Sequence, residues 1–166
     1  MQHAGRTAQP RETGGILVGF RDRDTVVVTR ALVVDDAQST GVTYHLLQER
    51  AEAELVDLRT SAPHIVGYVG DWHTHPRDRP PSGVDLASFR QTARSASDLV
   101  SLVVLSFRDG EPANVYGAVA RPDRERGRAR GRSRVDAVAV RVDETPTHRL
   151  ELLAKERQIS RSRPAG

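Results

Sequence analysis

The chain has no cysteine among its 166 residues. Disulfide bridges and thiolate metal ligands are therefore excluded, and any metal must be taken by histidine and carboxylate. Lysine is nearly missing as well: Lys155 stands alone against 24 arginines. Aromatic residues make up 4% of the sequence, which leaves few rings for stacking on nucleic-acid bases. No apolar run approaches the length of a membrane span, and the opening MQHAGRTAQPRE lacks the apolar core of a signal peptide. A cytoplasmic protein without membrane attachment is the expectation.

What is present suits one domain with a substantial core, at 37% hydrophobic and 28% charged residues. The pI of 9.9 would permit an acidic partner or nucleic acid, although the net charge is only +3. Arginine-rich, alanine-rich usage is also what a GC-rich genome produces. Seven of the arginines fall in residues 121–134, RPDRERGRARGRSR, which contain no core-forming side chain. This stretch reads as a solvated loop or linker. It could bind nucleic acid, but without interleaved aromatics that is not the expected partner.

Residues 1–10 read as a polar lead-in, 11–143 as the folded domain and 144–166 as a short helix, near 150–158, with a frayed tail. Gly15 to Phe20 and Thr25 to Val34 are β-branched, apolar runs joined like a hairpin. Asp35 to Val42 reads as a loop. Leu46, Leu47, Ala51, Leu55 and Leu58 recur at helical spacing within 44–58, and Ser61-Ala62-Pro63 stops that helix. Strands are expected over 64–72, 99–107, 113–120 and 135–142, with a second helix from Ser82 to about Ala96. Asp109-Gly110 is a turn signal between two of these strands. The order β-β-α-β-α-β-β-loop-β predicts a mixed α/β sandwich.

The densest chemistry lies in 71–85, DWHTHPRDRPPSGVD. It extends a strand-like run, so His73 and His75 point to one side and Trp72 and Thr74 to the other, towards a core. Two imidazoles side by side on a strand are a ready pair of metal ligands. Ser82 and Asp85 open the following helix. Taken alone, Ser-x-x-Asp is an ordinary capping arrangement. Asp71 shares the histidine face and would either orient a histidine or end the strand as a solvated charge. Arg77, Asp78 and Arg79 lie beside the site as a charged loop that could meet substrate. His3, His45, His64 and His148 have no partner at a ligand spacing. Far upstream, Glu12 precedes Gly14-Gly15, where a backbone could approach closely or a bulge could form.

Together, Glu12, His73, His75, Ser82 and Asp85 resemble the JAMM signature of the JAB1/MPN+ zinc metalloproteases. The words E-T-G-G-I-L-V-G and W-H-T-H-P are similar to those of its short bacterial members. The likeness covers roughly residues 10–120. It departs in one respect: the family usually has seven residues between the second histidine and the serine, and here there are six, 76–81. The resemblance implies a JAB1/MPN-type, cytidine-deaminase-like mixed sheet flanked by helices. It implies His73, His75 and Asp85 as ligands of Zn2+. It makes Glu12 the base that holds the reacting water and moves its proton to the leaving amine, and Ser82 a donor to the oxyanion. The implied activity is hydrolysis of an amide bond after the C-terminus of a ubiquitin-like protein, in a bacterial conjugation system that includes antiphage ones. Alternatives are processing of a sulfur-carrier protein for cysteine, thiamin or molybdopterin synthesis, or a non-catalytic MPN scaffold.

Overall fold

A computed structural model describes residues 1–22, 24–34, 46–62, 67–96, 98–121, 134–142 and 147–162. The expected loop 35–42, His45, His64 and most of the arginine-rich segment lie outside the described residues.

The two most apolar runs become the middle of a sheet because both of their faces can be covered. Strand β1 (Gly14–Asp22) is buried from Gly14 to Phe20, and β4 (Val100–Arg108) from Val100 to Phe107. With β2 (Thr25–Val33), β3 (Tyr68–His75), β5 (Glu111–Arg121) and β6 (Arg134–Val138) they form six strands in the order β2-β1-β3-β4-β5-β6. Among the described residues, only β3 and β4 pair in parallel. The crossover between them is helix α3 (Gly83–Ser95). Asp109 and Gly110, at φ 53° and 80°, close the β4–β5 hairpin with the left-handed backbone that such a turn needs.

Helices cover both faces. Ala51 and Leu58 of α2 (Gln48–Ser61) pack on Ile16, Val18 and Val34. On the same face, Phe89 and Ala93 of α3 pack on Val100, Leu102 and Val104. The opposite face carries Leu17, Val69, Trp72 and Val103, against which Ala4 of helix α1 (Gln2–Ala8) rests. The last helix, α4 (Thr147–Ser162), is tied to β2 by an ion pair between Arg30 and Glu151.

Several boundaries differ from the expectation. Residues 2–8 form α1 where a polar lead-in was expected, because Gly5 lets the helix sit directly on the sheet. A Cβ there would lie 2.5 Å from the Phe107 ring. The first long helix begins at Gln48, since Leu47 is extended and its side chain cannot cap. Strand β6 is shorter and α4 longer than the pattern suggested. Of the two readings of Gly14-Gly15, close approach holds: a Cβ on Gly15 would come within 1.9 Å of the Leu32 carbonyl oxygen.

Candidate metal centre and active site

The parallel pair positions the site, at the carboxyl ends of its strands, where open α/β sheets generally take ligands. His73 and His75 face the side covered by α2 and α3, beside Val104 and Ser106 of β4. Trp72 and Thr74 face the other way and are fully buried, as expected. The indole Nε1–H donates to the Leu32 carbonyl at 2.9 Å, which fixes the strand that carries the imidazoles.

After His75 the chain turns through 76–81 into α3. Ser82 is its N-cap: the hydroxyl accepts from the Asp85 backbone N–H at 3.2 Å, and the Asp85 carboxylate accepts from the Ser82 N–H at 2.5 Å. A capping box of this kind stabilises a helix start by about 1 kcal/mol. The cap and the ligand are not alternatives here, because the same carboxylate also faces the imidazoles. Asp85 Oδ1 lies 3.4 Å from His73 Nε2, and Oδ2 lies 3.3 Å from His75 Nε2. The two Nε2 atoms are 3.2 Å apart.

These three edges test the fit of a metal. Ligand atoms about 2.0–2.2 Å from a tetrahedral zinc are separated by about 3.3–3.6 Å. The nitrogen–nitrogen edge and the two nitrogen–oxygen edges, which run to different oxygens of Asp85, come close to that. One ligand atom from each residue lies within 4.8 Å of the others, and two imidazoles with a carboxylate are a donor set suited to zinc. His75 is also held in the right tautomer. Its Nδ1–H donates to the Arg79 carbonyl at 3.1 Å, which directs the Nε2 lone pair towards Asp85.

Electrostatics agree with this arrangement. Burial opposes charge on Asp85, yet hydrogen bonds from His73, His75 and Ser82 hold its carboxyl far below the usual carboxylate range. Burial would lower the His75 pKa, but Asp85, the Arg79 carbonyl and Glu12 outweigh it, so the imidazole pKa is raised from its ordinary value. Below that raised pKa a proton competes for the nitrogen that a metal would take. Zinc affinity is expected to fall by up to about tenfold per pH unit as pH drops through that raised pKa. Competition with a colorimetric chelator across neutral and mildly acidic pH measures this; affinity constant across the range would remove His75 from the ligand set.

Glu12 arrives from the far end of the chain. Gly14 pairs with His73, and the Thr13 carbonyl accepts from the Thr74 N–H at 2.8 Å while Thr13 N–H donates to Thr74 Oγ1 at 3.0 Å. Continued to residue 12, this register sets Glu12 opposite His75 on the ligand face. The glutamate is 3% exposed. Burial raises its pKa, with His73, His75 and the Arg79 guanidinium 3.8 Å away acting in the opposite sense.

The structure thus brings Glu12, His73, His75 and Asp85 to one place, with Ser82 exposed at its edge. Asp71 takes neither of its expected roles. Its carboxylate accepts from the Tyr68 hydroxyl at 2.9 Å, and burial pushes its pKa up to about 6, against the pull of that hydrogen bond and of His73. A bulge where Leu17 and Val18 face Gly70 and Tyr68 puts Tyr68 on the face of Asp71. His3 and His148 are exposed. Two features escaped the sequence. The Arg79 carbonyl is a backbone group without any residue signature, and Asp78 turns inward to Ser106 and Asn114.

This fold, with the histidines and Asp85 at the ends of its parallel strands, is that of a JAB-type domain. The chain belongs to the prokaryotic homologs of the JAB domain, a family it matches over residues 1–126. It is 31% identical over 97 residues to a CD-NTase/cGAS isopeptidase of Vibrio cholerae, and 31% identical over 112 residues to one of Enterobacter hormaechei. These matches cover 56% and 66% of this chain, and in both cases 61% of the relative. The chain therefore spans about three fifths of the curated relatives it matches. In structure it is similar to protein DSY2949 of Desulfitobacterium hafniense, with a TM-score of 0.63 and 23% identity over 90% of each chain. That likeness carries the fold.

Proposed function

We propose that the protein is a zinc-dependent isopeptidase that cleaves the amide bond after the C-terminus of a ubiquitin-like protein. The observation that carries this reading is the triangle of His73, His75 and Asp85 beside the buried carboxylate of Glu12. Zinc, when bound, supplies Lewis acidity that brings the pKa of water towards about 7 and polarises a carbonyl.

The remaining work falls to the chain itself. His73, His75 and Asp85 hold the metal, with Asp85 fixed in place by the Ser82 cap. Glu12 takes a proton from the attacking water and returns it to the departing lysine amine. Its raised pKa suits a group that must do both near neutral pH. Ser82 Oγ accepts from Asp85 N–H, so its own proton can be donated to the oxyanion that forms during attack. One such donor is worth about 3 kcal/mol.

The curated relatives are named for a CD-NTase/cGAS target, so a conjugate of that class is the substrate to try first. No helix among the described residues is long and apolar enough to cross a membrane, and a cytoplasmic site of action is part of this proposal. The test is incubation of the zinc-loaded protein with a ubiquitin-like protein joined through its C-terminus to a lysine of a CD-NTase. Release of both intact partners, abolished by a chelator, is expected. Cleavage of a peptide extension alone would narrow the activity to precursor processing. No cleavage of either would overturn the proposal.

A further inference from the structure

The loop between His75 and Ser82 is one residue shorter than the resemblance led us to expect, yet it carries the carbonyl that orients His75. Something must hold it. Asp78 sits at its middle and points away from the metal ligands, into the β4–β5 hairpin. Its Oδ1 accepts from Ser106 Oγ at 2.7 Å and from Asn114 Nδ2 at 2.9 Å, and Oδ2 pairs with Arg108. Ser106 is itself fully buried and stands beside His75 in the parallel register. Its Oγ also accepts from the Asn114 N–H at 3.1 Å, so the anchor is built into the sheet.

We propose that Asp78 is a positioning residue for the metal centre: by fastening the loop to Ser106, Asn114 and Arg108 it sets the Arg79 carbonyl against His75 Nδ1 and the Arg79 guanidinium beside Glu12. The inference rests on the reading of His75 as a metal ligand. The path is short and continuous. Asp78 adjoins Arg79 in the chain, and Arg79 itself makes both contacts, the carbonyl to His75 and the side chain to Glu12. The charge is well supported too. Hydrogen bonds from Asn114 and Ser106, with Arg108 adding to them, bring the Asp78 carboxyl down to about 2, so it is ionised throughout the working range. Six residues between the second histidine and the serine suffice because the loop is tied at its centre rather than closed by length.

Support around a ligand is typically worth about 10–100-fold in metal affinity. Asp78→Ala is therefore expected to weaken zinc binding within that range in a chelator competition. Exchange of the His75 Nδ1 proton with solvent, followed by NMR on the zinc-loaded protein, should become faster. Asp78→Asn keeps an acceptor for Ser106 and should recover part of both. Asn114→Ala removes one donor at the surface, and should move both readouts in the same direction by a smaller factor even if Asp78→Ala fails to fold. Zinc affinity and proton exchange equal to wild type in the folded Asp78→Ala variant would overturn the proposal, as would an unchanged Asn114→Ala where Asp78→Ala does not fold. A wild-type protein that takes up no zinc would instead overturn the reading of the site itself.

Discussion

Replacing His73 or Asp85 by alanine is expected to strip the protein of zinc and to abolish hydrolysis. Under the proposed function the two imidazoles and the Asp85 carboxylate hold the metal, one ligand atom from each lying within 4.8 Å of the others, and removal of one leaves two, too few for a stable site. The two variants should differ in stability. Without its histidine the chain keeps the Ser82–Asp85 capping box; without Asp85 it loses part of that cap as well, a cost at the start of α3 smaller than that of the whole box, which is about 1 kcal/mol. Asp85→Asn separates the roles, since its amide oxygen can still accept from the Ser82 N–H while the anionic ligand is gone. Metal analysis of the purified variants and their melting temperatures measure both effects. Full stoichiometric zinc in His73→Ala and Asp85→Ala would remove them from the ligand set.

Glu12→Gln should behave in the opposite way, keeping its zinc and losing rate. Glutamine fills the same buried space and can hydrogen-bond, but it cannot take a proton from water. Loss of a general base typically costs about 10²–10⁴-fold. Turnover should fall by that amount with zinc content and substrate binding close to wild type. Arg79 gives the charge of Glu12 a partner 3.8 Å away, and its loss from the variant leaves that guanidinium to solvent, where it is already 43% exposed. A Glu12→Gln protein that comes out zinc-free would make Glu12 a ligand instead of a base.

The part of the site written in local pattern was legible from residues alone. The strand period of two sets His73 and His75 on one face, and the capping rule places Asp85 over the start of α3. What depended on distant pairing was not. The approach of Glu12 follows from the β1–β3 register, which no local pattern encodes. The partner of Asp71 follows from a bulge that breaks the period of two just before it. Helix α1 was missed for a related reason. Its contact with the sheet is made by Ala4 and Gly5, too small to produce an apolar stripe, and Phe107, which receives it, lies a hundred residues away. The anchoring of Asp78 likewise needs Ser106 and Asn114, which meet it only once the hairpin has formed.

The two halves of the centre also come together over different lengths of chain. The proposed metal ligands lie within a separation of 12 positions, from His73 to Asp85, on one strand, one loop and the first turn of one helix. Glu12 must travel across 63 residues of sequence to reach His75, and it gets there only through correct pairing of β1 with β3. Loop-closure entropy makes the second event costlier by about 1.5 kcal/mol, before any strand pairing is counted. A slip of one residue in that pairing would turn Glu12 to the opposite face of the sheet. Folding order thereby becomes a safeguard. Under the proposed function, a nascent or misregistered chain would capture its metal and still be unable to cut, and proteolytic competence would appear only when the whole sheet is in register.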